Sequence, residues 1–150
     1  MNIAIDINEY NQENVFFNKP IKNTVIDNSN FIRTVFSNKS VSLNGIYLKI
    51  KLDICSIERY YNKYKCNYDI EINKKILDTI EFVEDSIINR INIQNKVPIY
   101  KIKEQIGLGN IKLFTDNIDN LYRGYFILKI SGIWENVKEY GITFKFIDIV

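Results

Sequence analysis

The residues of this chain best suited to chemistry are cations set beside aromatic rings. Tyr47, Lys49 and Lys51 recur at every second position, the spacing that puts side chains on one face of a β-strand. Soon after, Arg59-Tyr60-Tyr61-Asn62-Lys63-Tyr64-Lys65 interleaves rings with cations more densely than any other segment. Further on, Lys129 stands between Leu128 and Ile130, and Lys145 between Phe144 and Phe146. Ammonium and guanidinium groups neutralise phosphates, and aromatic rings offer faces on which unpaired bases stack, at about 1–3 kcal/mol per base. Together they would hold a single-stranded polynucleotide with little regard for its sequence. Trp134, the single tryptophan, could join the stacking set, although its place at a strand end suits a core plug better.

Covalent and metal chemistry have less to draw on. The 150 residues include no histidine, so Ser-His-Asp and Cys-His arrangements are absent. No phosphate-cradling GxxxxGK[ST] loop occurs, and Gly107-Leu108-Gly109 is a lone GxG that reads as a turn. Cys55 and Cys66, without histidine, build no familiar zinc site and are expected to be idle or buried thiols. Glu84-Asp85 could ligate magnesium for a carboxylate-only nuclease. Neighbours on a helix diverge by about 100°, however, so solvated helix surface is the better expectation. The chain is therefore expected to be no enzyme and to need no cofactor or metal.

Composition tempers the basic-aromatic signal. The sequence has 29 Ile, 20 Asn and 16 Lys against one Ala and four Arg, the mark of AT-rich coding. That bias alone yields Tyr-Lys-Asn runs, so residues 59–65 also fit a solvated loop with snorkelling lysines. Apolar residues at 46% and charged residues at 25% are ordinary for one globular domain, and this length buries a core without staples. A net charge of +2 says little about partners. No run approaches the roughly 18 apolar residues of a membrane span. Residues 1–14 show neither the basic nor the apolar part of a secretory signal, so a cytosolic protein is expected.

Periodicity places the candidate groups on strands. Ile46–Ile54 alternates strictly, with Ile46, Leu48, Ile50, Leu52 and Ile54 on one face, and Asn44-Gly45 offers a turn before it. Phe31–Ser37 reads as a strand followed by a turn at Asn38-Lys39-Ser40. Short strands are expected at Val15–Phe17, Lys22–Ile26, Tyr68–Ile72 and 111–114. Ile76, Ile80, Val83, Ile87 and Ile91 carry one amphipathic helix, with Asn73 as N-cap. Tyr125–Trp134 and Gly141–Ile149 form a closing hairpin that buries Phe126, Leu128, Ile130, Ile142, Phe144 and Phe146 and turns Lys129 and Lys145 outward. Strands with one inserted helix predict a mainly β domain over 1–150, a small partly open barrel, with residues 1–30 a partly ordered extension.

The closing segment, residues 127–149, resembles the last hairpin of OB-fold single-stranded DNA-binding proteins of large DNA viruses and some phages. Gly132-Ile133-Trp134, a short loop, Gly141-Ile142-Thr143 and Lys145 stand at matching places. Leu43–Leu48 is similar to an early strand of such proteins, and the helix lies where these barrels insert one. The resemblance implies an OB-like barrel binding single-stranded DNA in replication, repair or recombination, in the cytoplasm, a viral factory or the nucleus of an infected host. Replication or assembly proteins and a second copy of the chain would be further partners. It departs from the family in lacking an acidic C-terminal tail: the chain ends in the apolar Phe146-Ile147-Asp148-Ile149-Val150. That ending, with the modest charge, favours the competing expectation of a protein-docking subunit built on the same barrel.

Overall fold

Period-two runs from the two halves of the chain pair with one another, and a helix packs beneath them. The computed structural model describes residues 3–22 and 29–149. Short strands β1 (Ile5–Asp6), β2 (Val15–Phe17) and β3 (Ile21–Lys22) precede β4 (Asn30–Ser37) and β5 (Ser42–Asn44). Next come β6 (Ile46–Lys51), β7 (Ile54–Tyr60), β8 (Lys63–Tyr68) and the helix α1 (Lys74–Ile91). The chain continues through β9 (Val97–Ile99), α2 (Lys101–Gly107), β10 (Asn110–Leu113) and α3 (Ile118–Leu121), and ends in β11 (Tyr125–Glu135) and β12 (Glu139–Asp148). The fold is mainly β.

The large sheet runs β1-β6-β11-β12-β9, with β4 also paired to β11 and carrying β2, β3 and β5. A bulge between Ile130 and Gly132 lets β11 change neighbour. Its first half pairs with β6, from Tyr125 opposite Lys51 to Ile130 opposite Ile46, and its second half pairs with β4. A separate sheet, β10-β8-β7, lies with β10 close to the β12 edge. Among the described residues no ladder joins the two sheets, so the expected barrel is not closed.

One core fills the space between the sheets. Leu48, Ile50, Leu128 and Phe146 come from the large sheet, Cys66, Ile111 and Leu113 from the small one, and Ile80, Val83 and Ile87 from α1. Each of the Val, Leu, Ile and Phe side chains among them contributes about 1.5–3 kcal/mol on burial. Phe126, Ile130 and Ile142 are buried as the alternation requires, while Phe144 is only half-buried.

Several local expectations need correction. The strand from Ile46 stops at Lys51. Leu52 remains buried, but its N–H bonds to the Gly124 carbonyl, Asp53 N–H bonds to Asn73 Oδ1, and Ile54 starts the other sheet. Asn44-Gly45 is a kink between β5 and β6 rather than a hairpin turn; Gly45 takes φ +89°. Tyr68 ends β8, and residues 69–73 turn, with Asp69 Oδ1 accepting from Ile72 N–H. Asn73 is the N-cap position, yet its side chain ties down Asp53 and Asp69 instead of capping. Residues 59–65 are a β-hairpin rather than a loop. Val15–Phe17 forms as expected; of Lys22–Ile26 only Lys22 is in a strand, and 23–28 lie outside the described residues.

Candidate nucleic-acid interface

Alternation along β6, β11 and β12 leaves one face of the large sheet for solvent. Tyr47, Lys49 and Lys51 project from it on β6, with the two lysines exposed and the tyrosine half-buried. Cross-strand register extends the row: Tyr47 lies opposite Lys129, which lies opposite Lys145. Lys49, Ile127 and Ile147 form the next rank, and Lys51 faces Tyr125. Lys129 Nζ sits 5.6 Å from the Tyr47 ring centroid and Lys51 Nζ 5.1 Å from that of Tyr125. Lys51 also approaches Asp53 at 3.7 Å. Lys49, Lys129 and Lys145 make no ion pair among the described residues, although Asp6 is in register with Lys49.

The same face continues past the bulge. Arg33 lies opposite Gly132, and Trp134 lies between Phe31 and Gly141. A methyl group on Gly141 would come within 2.8 Å of the Trp134 ring, so the indole packs directly against the glycine. Trp134 is therefore half-buried on the outer face, with Lys101 Nζ 5.4 Å from its ring, and is not a core plug. A cavity of about 260 Å³ links Arg33, Tyr47, Lys129 and Phe31.

The hairpin of β7 and β8 divides its cluster between two faces. Tyr60, Lys63 and Lys65 point to the outer side of the small sheet, where Lys112 Nζ lies 4.4 Å from the Tyr60 ring and Lys63 Nζ 5.0 Å from that of Phe114. Lys65 pairs with Glu58 at 3.4 Å; a hydrogen bond from Asn67 and this lysine hold the Glu58 carboxyl below its ordinary range. Arg59 and Tyr64 lie on the opposite side next to the turn, with the guanidinium 5.4 Å from the Tyr64 ring. Tyr61 occupies the turn at φ +55° and is 83% exposed.

A groove separates the small sheet from the β12 edge. Lys63 and Lys112 line it on one side and Lys145 on the other, around a cavity of about 370 Å³. Phe114 and Ile147 continue into a larger cleft of about 860 Å³ bounded by Arg59 and Arg123. Asn120 and Arg123 then lead to a third cavity reaching Lys49 and Tyr125 on the sheet face. Tyr47, Lys49, Lys51, Lys129, Lys145 and Trp134 are thus brought onto one surface, and Arg59, Tyr64 and Lys63 onto its border. Tyr60, Tyr61 and Lys65 are not. Arg33 and Tyr125, which join the face, obey the same alternation as their neighbours. Phe114 and Arg123 lie outside strands and carry no periodic signal.

The remaining chemical candidates have structural employment. Burial raises the Glu84 carboxyl above its ordinary range, although Ile102 and Lys103 N–H groups donate to its two oxygens at 2.8 Å. It closes the N-terminus of α2 and is neither solvated surface nor half of a magnesium pair. Cys66 is buried, its thiol pushed up to about 12 by burial with help from Asp148; Cys55 is exposed. Among the described residues no group of three or more potential ligands could hold a metal ion. No described helix is long and apolar enough to cross a membrane. Of the apolar C-terminal residues, Phe146 is buried, Ile147 and Ile149 are half-buried, Asp148 accepts from Thr115 and Asn120, and Val150 lies outside the described residues.

No protein-family model, curated protein or solved structure matches this chain.

Proposed function

We propose that the protein binds single-stranded nucleic acid, without catalysis, across the outer face of β6, β11 and β12. The observation that carries this is the register of Tyr47, Lys129 and Lys145 beside Lys49, a rank of unpaired cations and rings on an uncovered sheet. Phosphates would meet Lys49, Lys129, Lys145 and Arg33, while bases would stack on Tyr47, Tyr125 and the exposed side of Trp134. An open sheet bordered by a groove would do the work that an OB barrel does in the proteins its closing hairpin resembles, and a role in replication, repair or recombination would follow. The docking-subunit alternative leaned on an exposed apolar C-terminus, whereas Phe146 is buried and Ile147 half-buried within β12.

The test is a fluorescence-anisotropy titration with labelled oligo-dT. Four phosphate contacts predict an affinity falling about 3 decades per decade of salt. Duplex DNA of the same length should bind more weakly, because its stacked bases cannot reach the rings. No binding at low salt would sink the proposal.

A further inference from the structure

The 860 Å³ cleft differs in chemistry from the sheet face. A phosphate track needs cations alone, yet this cleft sets two arginines against two aspartates, with Phe114 and several asparagines between them. Arginine is also the informative cation here, since the chain has four against 16 lysines. Arg90 is committed to the fold through a bond to the Val15 carbonyl, and Arg33 belongs to the sheet face. Arg59 and Arg123 reach the cleft from separate elements, β7 and the turn before β11.

Their groups are not spent on each other. Arg59 is held in place by bonds from Nε to the Tyr61 carbonyl, 3.0 Å, and from Nη1 to the Tyr64 hydroxyl, 3.3 Å. The Arg123 side chain makes no hydrogen bond or ion pair among the described residues. Asp148 is satisfied by Thr115 and Asn120, whereas the exposed Asp116 carboxylate has no partner among the described residues. Phe114, 59% exposed, offers a ring. Available to a ligand, then, are a donor fork, a carboxylate acceptor and an aromatic face, in a volume that suits a nucleoside.

We propose that this cleft receives one base of the bound strand and prefers guanine. Guanine alone presents two acceptors, O6 and N7, to an arginine fork and two adjacent donors, N1–H and N2–H, to a carboxylate. Arg123, helped by Arg59, would take the first edge, Asp116 the second, and Phe114 the ring face. The inference rests on the proposed strand binding, because the strand would enter from Lys49 and Tyr125 by way of Arg123. The sheet face tolerates any sequence, so the strand can slide until a guanine finds the cleft.

Oligo-dT carrying one central dG, dA or dC, titrated against the whole chain, tests this. The dG oligomer should bind about tenfold tighter than the others. Asp116→Asn should abolish that preference while leaving oligo-dT affinity unchanged or slightly raised, since it removes a negative charge. If Asp116 mattered only electrostatically, the substitution would strengthen all four oligomers alike and leave the preference intact, overturning the assignment. Equal binding of the four by the wild type, or a preference for dA or dC, would also overturn it while leaving strand binding standing. Failure of every oligomer to bind would instead remove the strand-binding proposal beneath it. Guanosine monophosphate binding as tightly as the dG oligomer would mark a free-nucleotide site and overturn base reading within a strand.

Discussion

The outer face of the large sheet and the outer face of the β7-β8-β10 sheet are built from the same residue types, yet they use their cations differently. On the small sheet Lys65 stands opposite Glu58 and pairs with it, and Lys112 rests over Tyr60; the like-charged Lys65 and Lys112 are in register, but Glu58 offsets them. On the large sheet Lys129 likewise rests over Tyr47, and Lys51 approaches Asp53, but Lys129 and Lys145 stand directly opposite each other and neither pairs with a carboxylate among the described residues. Like charges in that position destabilise a sheet. A surface arranged for folding alone gains nothing from such a pair, whereas one arranged for a polyanion needs it. Composition cannot separate the two faces; pairing does.

The largest effect should come from removing the unpaired rank. Lys49→Gln, Lys129→Gln and Lys145→Gln combined should weaken oligo-dT binding about a hundredfold at 0.1 M salt and flatten the salt dependence by about 2 decades per decade. Thermal stability should stay level or rise, because the opposed lysines are gone. A matching loss of stability and affinity would mean that these lysines serve the fold, and the contrast between the sheets would fail.

Next in size is Glu84, the most committed ionisable group among those described. Glu84→Ala leaves two α2 N–H groups, the buried one of Ile102 and the part-buried one of Lys103, without acceptors and should cost about 2 kcal/mol in denaturant unfolding at pH 7. Because α2 leads directly into β10, the cost measures what holds the small sheet in place. The pH sign follows from the raised carboxyl. The folded state favours the proton, so the Glu84 contribution is full below the ordinary carboxylate pKa and declines as pH rises through the raised folded value. Wild-type stability relative to Glu84→Gln should therefore fall as pH rises from the ordinary carboxylate range upward. A difference that grows over that range would show that the two backbone bonds, not desolvation, dominate.

What the sequence reveals follows the same division. β4, β6, β11, β12 and α1 are legible because each buries one face, so periodicity records their surroundings. The β7 strand is nearly all exposed and carries a bulge next to Cys55, which erases any alternation. Helix α2 has no local cap: Tyr100 makes no capping bond, and the acceptor is Glu84, far earlier in the chain. Within the site, Lys49, Lys129 and Lys145 could be placed from alternation alone. Arg123, Asp116 and Phe114 could not, since only tertiary packing brings that loop to the β12 edge.

The smallest effect sharpens the comparison most. Lys65 belongs to the densest basic-aromatic run of the sequence, but its ammonium is engaged by Glu58 and lies away from the proposed strand path. An exposed ion pair of this kind contributes little, so Lys65→Gln should change oligo-dT affinity by roughly twofold at most. Lys145→Gln alone, by contrast, should cost about fivefold at 0.1 M salt. Carboxylate titration by NMR supplies an internal check on the pairing. The Glu58 carboxyl should move up toward its ordinary range in Lys65→Gln without reaching it, because the Asn67 hydrogen bond, the largest single cause of its depression, remains. Its stabilising contribution is present above the ordinary carboxylate pKa and lost as pH falls through the lowered value, so the variant should lose it at a higher pH. Equal affinity losses for Lys65→Gln and Lys145→Gln would show a diffuse cationic attraction, in which position on the fold no longer matters.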